Sequence, residues 1–282
     1  MTPQERIQSG DLEGARTQLV QLVKSHPGDA AARSLLARVL LFLGEWDKAD
    51  RHLDMAATQN PAAAESLLTC RGLIQAEKER AAVMAGTERP GFLSSDTGFA
   101  EVLLGVLNAL QSGSPDAAAA RLAEVDERRP PLSGSCNGTE FSGLRDTDDR
   151  LRHVVEAFVH GRYVWVPFFA VRELRLEPPT HLLDLLWAPA ALTTWEGLTL
   201  NGFLPVGYPE TPSAGEPDHR LGRRTDWSDL GAGLEGAVGQ HVYQIGDEEF
   251  GLLDVRELNV TPFGKTDGGA PSPAEGEAGT HD

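Results

Sequence analysis

Hydrophobic and polar positions in the first 130 residues recur at spacings of three and four, which is the period of an amphipathic helix. The pattern predicts helices at residues 12–25, 29–43, 46–60, 62–85, 99–110 and 115–129. Gly44-Glu45 is typical of a tight turn between two of them, because glycine lacks a Cβ. A stretch rich in Gly and Pro, from Gly86 to Asp96, interrupts the series.

The helical part also repeats itself. Four positions return 34 residues further on, and the same internal spacing returns a third time: Gly10, Ala15, Leu19 and Pro27; Gly44, Ala49, Leu53 and Pro61; Gly113, Ala118, Leu122 and Pro130. A 34-residue period is typical of tetratricopeptide-like (TPR-like) helical hairpins that stack on one another. We therefore expect a TPR-like helical domain over residues 1–130, with a plain helical bundle as the alternative.

From Pro130 onward the pattern favours strands. The run 130–134 resembles a linker, and Asn137-Gly138 is a strong hairpin-turn dipeptide. Residues 147–160 predict one more helix, capped by Thr147 or Asp148. Short apolar or alternating segments then predict strands, at 163–168, 171–176, 182–187, 198–206 and 237–255. Too few helices intervene for parallel crossovers, so a mainly antiparallel α+β domain is expected over residues 131–262.

Two further segments are predicted to lack regular structure. Residues 207–222 are rich in Pro and Gly and predict an exposed loop. Residues 263–282 form an acidic Gly/Pro tail with almost no apolar content, and we expect it to be disordered.

Charge narrows the possible partners. The formal net charge is −17, and it is uneven: residues 1–86 carry 10 Lys and Arg against 11 Asp and Glu, while residues 87–262 carry 14 against 27. An acidic protein repels phosphate backbones, so we expect a protein segment rather than nucleic acid as the partner. No apolar run predicts a signal peptide or a membrane span. Cys70 and Cys136 are too far apart in sequence to form a C-x-x-C motif, and they predict reduced thiols in a cytoplasmic protein.

Three candidate chemical motifs favour ordinary structural roles. Residues 231–236 spell G-x-G-x-x-G but lack the strand before and helix after that a dinucleotide site needs, so a turn between strands is favoured. The acidic cluster Asp146, Asp148, Asp149 and Glu156 departs from calcium-loop spacing, and helix N-terminal charge explains the aspartates. His153 and His160 could share a helix face, but no metal-ligand pair is present. We expect no enzyme activity, metal or cofactor.

An aromatic cluster marks the second half. Tyr163, Trp165, Phe168, Trp187 and Trp195 favour the core of the second domain, with an exposed partner-binding patch as the alternative.

The ordered motifs of the second half carry a resemblance to a known family. They are Asp148-Asp149-Arg150-Leu151 with Glu156-Ala157, 161–168, 184–190, Arg224-Thr225-Asp226-Trp227, Gly239-Gln240 and 252–257. Together with the turns at Gly10-Asp11-Leu12 and Gly44-Glu45-Trp46, they resemble the ImpE family, also called TagJ or SciE-type proteins, over residues 1 to about 258.

The resemblance implies a non-enzymatic adaptor of the bacterial type VI secretion system. Family members bind an N-terminal helix of the contractile-sheath subunit TssB, and a link to sheath recycling by the ClpV ATPase is implied. A helix laid in a groove of the repeat would contact the first helix of each hairpin. The residues predicted to bind the partner are Ser34, Arg38, Leu41, Leu68, Leu103 and Leu107, with Tyr163 and Trp165 from the second domain. A scaffold whose groove is filled by its own second domain is the main alternative, and an enzyme using the acidic or Gly-rich segments is the other.

Overall fold

The computed structural model describes residues 1–59, 64–128 and 131–261. The repeat prolines Pro61 and Pro130, and the tail predicted from residue 263, lie outside the described residues. The first half is helical, as the pattern predicts, with α1 (Pro3–Gln8), α2 (Leu12–Ser25), α3 (Ala30–Phe42), α4 (Trp46–Gln59), α5 (Ala64–Met84), α6 (Thr97–Gln111) and α7 (Pro115–Arg128).

Local chemistry explains where these helices begin and end. Asp11, Asp29 and Asp96 each accept a hydrogen bond from a backbone N–H in the first turn of α2, α3 and α6. Gly44 ends α3 with φ at +70°, in the left-handed region of backbone conformation that residues with a Cβ avoid. Pro115 opens α7, where its missing N–H would have no helical partner.

The second half is mostly strand and is mainly antiparallel, as predicted. Its strands are β1 (Gly91–Phe92), β2 (Ser133–Cys136), β3 (Thr139–Ser142), β4 (Leu144–Asp146), β5 (Val154–Val159), β6 (Arg162–Pro167), β7 (Val171–Leu176), β8 (Trp187–Thr194), β9 (Thr199–Pro205), β10 (Thr225–Gly231), β11 (Leu234–Gly239), β12 (Val242–Ile245), β13 (Glu248–Gly251) and β14 (Glu257–Thr261).

These strands form three sheets. The largest has nine strands in the order β1-β6-β5-β9-β8-β7-β14-β2-β3, and the smaller ones are β13-β12-β4 and the hairpin β10-β11. Each described pairing is antiparallel except that of β1 with β6. The break predicted at residues 86–96 therefore contains a strand that pattern reasoning missed, because a two-residue strand leaves no periodic signal.

Strands β5 and β6 of the nine-stranded sheet are buried on both faces. Along β5 and β6, Phe158 and Trp165 point into a core shared with the helices, while Val155 and Val166 point into a second core against β12 and the segment before β14. The helical hairpins therefore pack on one face of the sheet. Helix α5 approaches the β5–β6 turn so closely that a Cβ on Gly161 would lie 3.2 Å from Cα of Gly72.

The predicted helix at 147–160 is wrong. The segment forms a set of turns followed by β5. The backbone N–H groups of Asp148 and Arg150 donate to the carboxylates of Asp146 and Asp148, which fixes turns in place of a helical start. The apolar residues at three- and four-residue spacing belong to a strand that is buried on both faces, and such a strand does not alternate. His153 and His160 therefore share no helix face.

The exposed loop predicted at 207–222 is wrong as well. This segment contains two short helices, α8 (Thr211–Ala214) and α9 (Pro217–Arg220), and it buries Tyr208, Thr211 and His219. Similarly, residues 182–185 form a 3-10 helix rather than a strand, and β8 begins only at Trp187. Prolines and glycines in these segments mark turns of packed structure, because the backbone is anchored by buried side chains.

Candidate functional site

A fully buried cluster of charges joins the helices to the sheet. Arg80 of α5 donates from Nε to Oε1 of Glu156 on β5 at 2.8 Å, and also to the carbonyl of Gly207 at 2.8 Å. His241 bridges two carboxylates, with Nδ1 2.8 Å from Asp146 and Nε2 2.9 Å from Glu156. These four charged side chains are each at most 3% exposed.

Polar neighbours satisfy the remaining atoms of this cluster. Tyr163 donates its hydroxyl proton to Glu156 and accepts from Nε1 of Trp165 at 2.6 Å. Tyr208 donates to Asp146 at 2.7 Å. A buried ionic cluster is tolerated only when its lone pairs and protons find partners, and here they do.

The cluster favours the charged forms of His241 and Glu156, whereas burial raises the pKa of Asp146. Burial opposes charging of the imidazole, but Asp146 and Glu156 outweigh it and raise the pKa of His241 to about 9. Burial would likewise raise the pKa of Glu156, yet Arg80 and His241 hold that pKa well below its ordinary value. A protonated histidine between two carboxylates, closed off from solvent, is arranged for structural support rather than for proton transfer to a substrate.

The rest of the acidic cluster is also engaged, although at no helix N-terminus. Asp148 binds Arg150 through both carboxylate oxygens, and its Oδ2 also accepts from the N–H of Ala237 on β11 at 2.9 Å. Asp149 binds Arg152 and accepts from the N–H of Glu235 at 2.8 Å. The expectation that helix polarity explains these aspartates is wrong, because they tie a turn to β11. Within residues 1–59, 64–128 and 131–261, no group of three or more His, Cys, Asp or Glu side chains is arranged to hold a metal ion.

The Gly-rich motif is a turn between strands, as favoured from the sequence. Residues 231–234 connect β10 to β11, and Gly231, Ala232 and Gly233 all have positive φ. A Cβ on Gly231 would lie 2.9 Å from Pro115 of α7, so this glycine also allows close packing on the helices. A strand, β11, follows the motif where a dinucleotide site has a helix.

An open groove runs along the seam between helices and sheet, and we call it the seam groove. Its volume is about 490 Å³. Leu73, Trp187 and Phe203 form an apolar floor, and Arg38 of α3 and His181 stand at its rim. The remaining lining residues are Ser66, Thr69, Cys70, Thr180, Leu182, Leu183 and Asp184.

The predicted partner-binding residues divide between surface and core. Arg38 lines the seam groove, and Ser34 lies one turn earlier on α3, half-buried. Leu68 is 69% exposed, but it lies outside the groove lining, because helical spacing places it about 160° round α5 from Cys70 and about 140° from Leu73.

The other five are buried and pack inside the protein: Leu41, Leu103, Leu107, Tyr163 and Trp165. Their apolar stripes face neighbouring helices or the sheet, so they contact no partner in this conformation. Of the aromatic cluster, Phe168 and Trp187 are core residues too, as favoured, whereas Trp195 is 37% exposed.

Sequence reasoning missed the sheet side of the groove. Residues 180–184, Trp187 and Phe203 are more than a hundred positions from the groove residues of α3 and α5, and no periodic pattern joins them. Their only signal is the position of an apolar 3-10 segment at the start of a strand. None of the described helices is long and apolar enough to cross a membrane.

Comparison with known proteins agrees with this architecture. The chain is 33% identical over 262 residues to the type VI secretion system accessory component TagJ of Pseudomonas aeruginosa, an alignment that covers 93% of this chain and 92% of that protein. The chain belongs to the ImpE/TagJ family. The ImpE protein family model matches residues 138–259, and a tetratricopeptide repeat model matches residues 6–69.

The fold of this ImpE/TagJ chain is also similar to a crystal structure. Protein VPA1032 from Vibrio parahaemolyticus superposes with a TM-score of 0.84 at 24% identity, covering 92% of this chain and 97% of that one. This likeness concerns the fold alone. The TPR-like hairpins and the antiparallel domain are thus confirmed as the architecture of the chain.

Proposed function

We propose that this chain is a non-enzymatic adaptor of a type VI secretion system, and that the seam groove binds a helical segment of the sheath subunit TssB. The family relationship over 93% of the chain supports the secretion role. The observation that carries the binding site is the groove itself, an open apolar floor with a polar rim at the junction of both halves.

The groove suits one face of an amphipathic helix. Leu73, Trp187 and Phe203 offer apolar contacts to residues spaced three and four apart, and Arg38 can pair with an acidic residue at the edge of the same helix. The groove accepts the side chains of one helix face while the helix backbone lies outside it. We propose further that such binding links the sheath to ClpV in the cytoplasm, a compartment that suits two free buried cysteines.

Titration calorimetry with a synthetic TssB N-terminal helix tests this site. Arg38→Glu reverses an exposed charge at the groove and should weaken binding about tenfold, which corresponds to a loss of about 1.4 kcal/mol in binding free energy. Arg51→Glu, at an exposed position of α4 outside the lining, is the matched control and should bind like the wild type.

Circular dichroism should first establish that all three proteins are folded. Equal weakening by both variants would locate the interaction elsewhere. If folded wild-type protein fails to bind the peptide, the adaptor proposal fails. The alternative of a scaffold with a self-filled groove then gains support, since the sheet already covers much of the helical surface.

A further inference from the structure

The nine-stranded sheet ends at β3 with backbone groups that have no partner. The Asn137-Gly138 turn joins β2 to β3 in the register Thr139↔Cys136 and Phe141↔Gly134. In a hairpin closed by a two-residue turn, Thr139 and Phe141 exchange hydrogen bonds with β2, so the N–H and C=O groups of Glu140 and Ser142 point outward. Within the described part of the chain, no group forms a hydrogen bond with these outward-pointing atoms.

An apolar groove lies beside this edge, and we call it the edge groove. It has a volume of about 320 Å³ in the corner between β3 and the β12–β13 hairpin. Phe141, Ile245 and Phe250 line it together with Cys136. Its volume is near the lower end of the range for ligand pockets, so it can receive apolar side chains but not a folded domain.

Unpaired carboxylates surround the edge groove. Glu140, Asp247 and Glu248 line it, all three side chains are exposed, and none forms an ion pair with another described residue. Elsewhere on this surface carboxylates do find cations, as Glu173 does with Arg175 on β7. The edge groove therefore combines an apolar floor with carboxylates that are not neutralised by a described Lys or Arg side chain.

We propose that β3 is a docking edge for an extended segment of another protein in which apolar and basic residues alternate. A strand added to β3 would pair with the free backbone groups of Glu140 and Ser142. Its side chains would alternate between two faces. Those on the face of Phe141 enter the edge groove, which Asp247 and Glu248 border, and those on the opposite face lie beside the carboxylate of Glu140.

The short length of β3 and its glutamate also discourage pairing with a second copy of this chain. Natural edge strands use charge in this way to avoid self-association. A second copy would bring Glu140 near another acidic edge, whereas a Lys- or Arg-bearing strand turns the same charge into attraction. The edge thus selects for basic partners, and this site is separate from the seam groove.

Peptide binding followed by amide hydrogen exchange tests the proposal. The probe is a short synthetic peptide of alternating Lys and Val, and the control probe alternates Glu and Val. With the Lys-Val peptide, the amides of Glu140 and Ser142 should exchange more slowly, while those of Thr139 and Phe141, already bonded to β2, should be unchanged. The Glu-Val peptide should give no protection.

Two variants separate backbone pairing from charge. Ser142→Pro removes an outward N–H at an edge position that tolerates proline, and it should raise the dissociation constant of the Lys-Val peptide about tenfold. Glu140→Lys should weaken binding by a similar factor and reduce its dependence on salt. Glu88→Lys, an equal charge reversal on the exposed segment after α5, should bind like the wild type.

Three results would overturn the proposal. They are the absence of binding to folded wild-type protein, equal binding of both peptides, and protection that appears at other strands but not at residues 140 and 142. Should Ser142→Pro fail to fold, Glu140→Lys with its Glu88→Lys control still decides the question.

Discussion

Replacing Glu156 by glutamine probes the buried charge cluster that joins helices to sheet. The change keeps the shape of the side chain but removes the anion that Arg80 and His241 both contact. Arg80 is 2% exposed, so it cannot turn to water for compensation. In the variant the buried guanidinium faces a neutral amide, and Glu77, 3.6 Å away, is the carboxylate that remains beside it.

The expected loss follows from the burial of the pair. Removing one partner of a buried ion pair costs about 3–5 kcal/mol, because the remaining charge loses its strongest hydrogen-bonded partner in a medium of low dielectric constant. With a urea m value of about 3 kcal/mol/M, this loss lowers the unfolding midpoint by about 1–1.7 M. A loss of this size is a large fraction of the stability of a typical domain.

Urea unfolding with two probes measures this effect. Far-ultraviolet circular dichroism reports mainly on the helices, and the fluorescence of buried Trp165 and Trp187 reports on the shared core. Because the cluster contacts both halves, the two midpoints should fall together. The pKa of His241 should also fall in the variant, since one of its two carboxylates is gone, and a nuclear magnetic resonance titration would record the change.

Glu101→Gln is the matched control. Glu101, on α6, also pairs with an arginine, Arg89, but both side chains are more than 60% exposed. An exposed pair contributes about 0–1 kcal/mol, so the control midpoint should barely move. If Glu156→Gln costs no more than Glu101→Gln, the cluster does not hold the two halves together.

Two further predictions concern pH and backbone packing. Because the pKa of His241 is raised to about 9 in the folded protein, its stabilising contribution is complete below the unfolded value of about 6.5 and is lost as pH rises through 9. Urea midpoints should therefore fall between pH 6.5 and 9 in the wild type but not in His241→Gln, and a flat wild-type profile would contradict the charged histidine. In β2, a Cβ on Gly134 would lie 1.9 Å from the carbonyl oxygen of Asn259, so Gly134→Ala should cost about 1–3 kcal/mol. Gly28→Ala has nothing within 4 Å of the new Cβ and should change thermal stability by less than about 1 kcal/mol. Equal melting temperatures for the two variants would refute the predicted clash at Gly134.

The helical half could be predicted because its signals are local. Apolar spacing, capping aspartates and the turn glycine Gly44 all act within a few residues, and each agrees with the others. The strands of the second half were also predictable where they alternate or are rich in aromatics, as in β6 and β7.

The errors arose where distant contacts decide the structure. Residues 147–153 form turns because Asp148 and Asp149 bind the backbone of β11, almost 90 positions later. Likewise the pairing of Arg80 with Glu156 spans 76 positions. Five of the predicted binding residues are buried for the same reason: side chains such as Leu103, expected to face a groove in an isolated repeat, belong to the core shared with the sheet.

Photo-crosslinking from two adjacent positions of α5 tests most directly whether the seam groove binds the TssB helix. Position 69 belongs to the lining of the groove, whereas position 68 lies about 100° further round the helix and outside the lining. If the peptide binds in the seam groove, we expect a crosslink to the TssB N-terminal peptide from position 69 and none from position 68. Crosslinking from position 68 alone, in a folded protein that binds the peptide, would contradict it.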